Sequence, residues 1–180
     1  MGRTRFLANT IVTAGLLVLP LRLTAQISGS WTARFIGDRV ELNVQTDLDS
    51  NGRRGWSNYG RTLDASTFTG LSNSTGRVNF TLRRAAGTFT FEGRSSSSRA
   101  SGSFDFEPSR TFAADLRQLG FDGVTDAELF VFALENLTQQ GARQIKSLVS
   151  DDINTDDLVR MINHGAGPRP KPFVGLVMGP

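Results

Sequence analysis

ASGSFDFEPSRTFAADLRQLG, residues 100–120, changes its period at Pro108. Before the proline, Phe104 and Phe106 alternate with Ser103, Asp105 and Glu107. That spacing puts one face of a strand on a core and the other in water. After the proline, Phe112, Leu116 and Leu119 recur at i, i+4 and i+7, and Gly120 stops the run. That is the spacing of one helical face with a glycine end. A strand half therefore gives way to a helical half, and the chain reads as α+β.

Upstream, the alternation repeats. Trp31, Ala33 and Phe35 share one face of a segment, as do Val40, Leu42 and Val44. Val78, Phe80 and Leu82 follow, then Phe89 and Phe91. Gly37-Asp38, Ser50-Asn51-Gly52, Ala86-Gly87 and the serine run at 95–98 are turn material between them. These segments predict an antiparallel meander of five to six strands. Its inward face is rich in phenylalanine. Such a face must be covered, or the sheet must curl on itself into a barrel-like form.

Downstream, helical stripes continue through Leu129, Phe132 and Ala133, then Ala142, Ile145, Leu148 and Val149, then Leu158, Met161 and Ile162. The four helices read as two copies of one pair, offset by 29 residues. Leu116 maps onto Ile145, Leu119 onto Leu148, Val124 onto Ile153, Leu129 onto Leu158 and Phe132 onto Met161. The capping boxes map as well, Thr125 with Glu128 onto Asn154 with Asp157. A solenoid usually needs at least ~3 repeats to stand alone. Two repeated helix pairs are therefore expected to lean on each other and on the sheet.

At the N-terminus, Arg3 and Arg5 precede an apolar run at 11–21 and a small-residue site at Leu23-Thr24-Ala25. A basic start, a short apolar core and a small residue describe a secretory signal peptide. The expected division is a signal at 1–25, an antiparallel β module at 26–108, a tandem helical repeat at 109–165 and a flexible tail at 166–180. The mature chain is then secreted, periplasmic or extracellular, and meets the membrane only if the signal stays uncleaved. Removing Arg3, Arg5 and Arg22 leaves 17 basic and 17 acidic residues. The whole-chain basicity is thus no argument for nucleic acid, which is not an expected partner. The charge is nevertheless split, net +3 over 26–110 and net −3 over 111–180. There is no cysteine, so an exported chain of this kind rests on its core alone.

Chemistry-bearing patterns are few. Asp47, Asp49 and Asn51, with Gly52 after them, match the start of a calcium loop. Asn58 stands where a bidentate glutamate would close it, and Arg53 and Arg54 lie inside. A strand-connecting Asn-Gly turn is the competing reading, so calcium is the one cofactor entertained. His164, the only histidine, suits a helix C-terminus and supplies no zinc site by itself. No cysteine, Gly-x-Ser-x-Gly or phosphate-cradling loop is present, and no catalytic residue is assigned. Asp151, Asp152, Asp156 and Asp157 cluster, the last two where a helix start favours anions. Arg34, Arg39, Arg77, Arg83, Arg84, Arg94 and Arg99 lie on the strand half. Several fall on its outer face, where they meet either solvent or anionic polymers and lipid headgroups.

Three strings carry a resemblance. They are Leu116-Arg117-Gln118-Leu119-Gly120-Phe121, Asp156-Asp157-Leu158-Val159-Arg160-Met161 and the closing His164-Gly165. Together they resemble a tandem helical repeat of bacterial envelope proteins. In those proteins it follows a strand-rich module similar to this one, opened here by Gly29-Ser30-Trp31 and closed by the segments around Phe89 and Phe104. The combination is seen in exported proteins of unknown function. It is also seen in the extracytoplasmic region of beta-lactam-sensor-type membrane metallopeptidases. The resemblance transfers no peptidase residue. The export signal, the missing catalytic parts and a repeat that offers a stacked surface point to a non-enzymatic, extracytoplasmic protein-interaction module of the cell envelope, sensory or regulatory in role, with an envelope protein as partner. The alternative is a carrier that holds a small apolar ligand in the phenylalanine-lined sheet interior.

Overall fold

The computed structural model describes residues 27–48, 54–72, 74–149 and 153–163. The expected signal peptide at 1–25 and the expected tail at 166–180 lie outside the described residues. Seven antiparallel strands come first: β1 (Ile27–Ile36), β2 (Arg39–Leu48), β3 (Arg54–Asp64), β4 (Phe68–Thr69), β5 (Gly76–Arg84), β6 (Gly87–Ser96) and β7 (Arg99–Pro108). Four helices follow: α1 (Arg110–Gln118), α2 (Asp126–Leu134), α3 (Gln139–Val149) and α4 (Thr155–Asn163). The class is α+β, with an antiparallel meander sheet followed by two helix pairs.

The sheet has seven strands rather than five or six because two of them hide their pattern. The inward positions of β3 hold Ser57, Tyr59, Arg61 and Leu63, which is too polar a face to read as alternation. β4 is only two residues long. The strand order is β3-β2-β1-β7-β6-β5-β4, because β1 pairs antiparallel with β7. This is the cyclic order of an up-and-down barrel cut once, between the consecutive strands β3 and β4. The sheet is curled but not closed.

Its curl is visible in one ring. Phe130 of α2 lies 5.5 Å from Tyr59 on β3 and 5.3 Å from Phe89 on β6. Those strands are four positions apart, about 19 Å in a flat sheet at ~4.8 Å per strand. Both rings reach Phe130 only because the sheet bends around it. Phe104 and Phe106 complete the contact, at 5.9 and 5.4 Å. Residues 127–134 of α2 are all buried, as expected of a helix that is apolar all round. One side of α2 packs on β1, β6 and β7, and another on α4.

The far side of the curl is set by glycine. Trp31 sits opposite Gly102, and Gly102 opposite Gly93. With no side chains there, the indole crosses two strands to meet Phe80 at 5.1 Å and Phe91 at 5.7 Å, both edge-on. Its Nε1 donates to the main-chain oxygens of Glu92 (3.1 Å) and Ser103 (3.0 Å). The one polar atom of the ring is thereby satisfied where it is buried.

The helices repeat with the expected offset. α1 begins at Arg110 and α3 at Gln139; α2 begins at Asp126 and α4 at Thr155. Their caps repeat too. Ser109 Oγ accepts from Phe112 N, and Thr138 Oγ1 from Gly141 N. Thr125 and Glu128 form a reciprocal capping box, and Asn154 and Asp157 form its counterpart. Lys146 Nζ donates to the Leu119 carbonyl, and Thr155 Oγ1 to the Asp122 carbonyl at 2.9 Å. Side chains of the second pair thus close the open carbonyls of the first. Since Glu128 is itself buried, Thr125→Ala is expected to cost about 1–2 kcal/mol. A urea-unfolding midpoint unchanged from wild type would show the box to be idle.

Candidate functional site

The sheet presents two faces with different tasks. The inner face is filled by its own phenylalanines and by α2. The outer face carries a groove of about 860 Å³. It runs across β3, β2, β1, β7 and β6, and Arg34, Arg94 and Arg99 line it with Thr32, Asn43 and Ser101. A second concavity continues from Arg94 onto Arg77, Asn79 and Glu92 of β5 and β6.

The register explains the clustering. Arg34 on β1 is directly opposite Arg99 on β7, and Arg77 on β5 directly opposite Arg94 on β6. All four are exposed on the outer face. Like charges placed directly across a ladder are destabilising. Arg34 is relieved by Glu41, with Nε 2.8 Å and Nη2 2.7 Å from Oε2. Among the described residues, Arg77, Arg94 and Arg99 have no carboxylate within ion-pair distance.

The same face bears Trp56, which is 86% exposed on edge strand β3. It lies on the face shared by Asn58, Gly60 and Thr62, the last two of which line the groove. Between Trp56 and the arginines lie polar side chains, with Ser30 Oγ donating to Gln45 Oε1 at 3.4 Å. Trp56 carried no sequence signal. It stands alone among polar residues, and only the strand register places it on the same face as the groove, about 13 Å from Gly60 at ~3.3 Å per residue.

The remaining candidates separate. Arg39 and Arg83 are exposed and lie apart from the groove lining, whereas Arg84 turns inward. Burial lowers the Arg84 guanidinium from its ordinary value, and its Nε has no partner among the described residues. Arg61 also turns inward and pairs with Glu135 at the C-terminal cap of α2. Burial lowers its guanidinium as well, opposed by the charge of Tyr59. Arg110 forks onto Asp126, and that hydrogen bond raises it. Asp157 serves as a helix cap, bonded to Asn154. Asp47 is exposed at the end of β2. Its expected partners Asp49 and Asn51 lie outside the described residues, as do Asp151, Asp152 and His164. Among the described residues no three His, Cys, Asp or Glu side chains are placed to hold a metal, and no helix is long and apolar enough to cross a membrane.

Set against protein-family models, curated proteins and solved structures, the chain matches none.

One further surface stands out, at the end of the helical stack. Leu119 is partly buried against the core, and its main-chain oxygen accepts from Lys146 Nζ of the second pair. Its repeat counterpart Leu148 is 83% exposed. The repeat position that is partly buried in the first pair is therefore open to solvent in the second.

Proposed function

We propose that the chain is a non-enzymatic, extracytoplasmic protein-interaction module of the cell envelope, sensory or regulatory in role. The single observation that carries this reading is the exposed Leu148, at the repeat position where Leu119 is partly buried. A repeat stack grows by burying such ridges against the next unit. A helical partner fits the same surface. The signal-like N-terminus and the resemblance to tandem-repeat envelope proteins support the same reading.

The test is crosslinking in the envelope with tagged wild type and with Leu148→Asp. Leu148 is exposed, so the substitution is expected to lower the melting temperature by only a few degrees, chiefly through an acid in the last turn of α3. A defined partner should crosslink to the wild type and be lost from the variant. The same partner on both chains would move the interaction elsewhere.

The carrier alternative asks for space on the inner face. Phe130 and α2 occupy that face, so a ligand there would have to displace a buried helix. Native mass spectrometry of protein taken from its own envelope is expected to show no co-purifying small apolar molecule.

A further inference from the structure

We propose that the outer face of the sheet binds a linear acidic glycan. Its carboxylates would be held by Arg34, Arg77, Arg94 and Arg99, and its hydroxyls by the Thr, Ser and Asn side chains around them. This site lies on the sheet, away from the helical ridge, and stands or falls independently of it.

The charge pattern points to an anion. Two arginine pairs sit face to face across the ladder, Arg34 with Arg99 and Arg77 with Arg94. Two carboxylates share their field, Glu41 bound to Arg34, and Glu92 one position along the same face from Arg94. Four guanidinium groups against two carboxylates leave a net positive groove whose like charges repel. An anion bridging them removes that repulsion. Guanidinium groups also match carboxylates in a planar fork.

The spacing points to an extended ligand. The four arginines occupy the adjacent strands β5, β6, β7 and β1, which spans about 14 Å at ~4.8 Å per strand. A chain of sugars bearing one carboxylate per ring meets such a row repeatedly; a single small anion does not.

The lining points to a sugar rather than a peptide. Within a sheet the main-chain groups are already paired, so a ligand on this face is held by side chains alone. Peptides that recognise sheets add to an edge instead. Here Thr32 and Ser101 offer hydroxyl partners among the arginines, and Asn43 an amide on the next strand. Trp56 lies on the same face but two strands and six residues from Arg34, about 22 Å away at ~4.8 Å per strand and ~3.3 Å per residue, beyond a ligand seated on the arginine row.

The test is calorimetric titration of the purified full chain with tetragalacturonate. Its methyl ester, an oligoglutamate of equal charge, a single-stranded oligonucleotide and anionic vesicles are the comparison ligands. Tetragalacturonate should bind, and added salt should weaken it. The methyl ester should bind at least tenfold more weakly. Arg94→Gln with Arg99→Gln should weaken tetragalacturonate at least tenfold while leaving the melting temperature unchanged or raised, since the substitutions remove like-charge repulsion. The proposal is overturned by no binding of tetragalacturonate, or by equal binding of its ester. It is overturned too if the arginine variant binds as wild type does. Oligoglutamate, oligonucleotide or vesicles bound as tightly as the acidic sugar would also overturn it.

Discussion

Phe130→Ala should cost about 3–5 kcal/mol, the range for emptying a large aromatic site in a packed interior. Phe130 is where the two halves of the chain meet. Its ring touches Tyr59, Phe89, Phe104 and Phe106, which come from β3, β6 and β7. The strands cannot collapse freely into the space, because their ladders fix the backbone. α2 cannot shift freely either, because its other side packs on α4 and its N-terminus is held by a capping box. Both restraints push the site toward the costly end of the range, where a cavity stays open. Urea unfolding followed by far-ultraviolet circular dichroism measures the loss. Phe130→Leu, which keeps most of the volume, should retain the larger part of the stability. If the halves are separate folding units, Phe130→Ala would instead split the transition into two and spare the helical one. A single transition displaced to lower urea is the expected result.

The site of that substitution shows what was legible in the sequence. The period change at Pro108 and the alternation of Phe89, Phe91, Phe104 and Phe106 are local signals, and the fold class follows from them. The 29-residue offset is local too, and it places all four helices. What covers the phenylalanine face is not local. Residues 129–134 read Leu-Phe-Val-Phe-Ala-Leu, and the stripe through Leu129, Phe132 and Ala133 leaves Phe130 outside it. Phe130 matters because α2 is buried on every side, and that depends on how far the sheet curls. β3 escaped for a related reason. Arg61 occupies an inward position that an apolar side chain would normally fill, and only the pairing with Glu135 from α2 makes it acceptable there. The outer groove was half legible. Alternation put the arginines outside, but facing pairs are a property of register, and register is set by the turns and by Trp31 over Gly102.

That register rests on Gly102, and Gly102→Ala is expected to cost about 3 kcal/mol or more, beyond an ordinary overpacking penalty. A Cβ at Gly102 would meet the main-chain oxygen of Glu92 well inside van der Waals contact, and next the Cα of Gly93 at 2.6 Å. Backbone atoms in the centre of a seven-stranded sheet cannot step aside as a flexible side chain would. The indole of Trp31 crosses the same spot, and its N–H bonds to Glu92 and Ser103 depend on it. Displacing the ring leaves a buried donor without its acceptors, which itself costs about 1–3 kcal/mol. Gly60→Ala is the matched control. It lies in the same sheet, yet its nearest neighbour is the Asn43 side-chain nitrogen at 3.9 Å. Its effect should stay within about 0.5 kcal/mol, as for other unconstrained surface changes. Thermal unfolding of the two variants side by side separates a general intolerance of side chains from a specific one. Equal melting temperatures would mean that Trp31 does not need the gap. A large loss for Gly102→Ala alone, with altered fluorescence from the buried indole, would tie the curl of the sheet to two missing side chains.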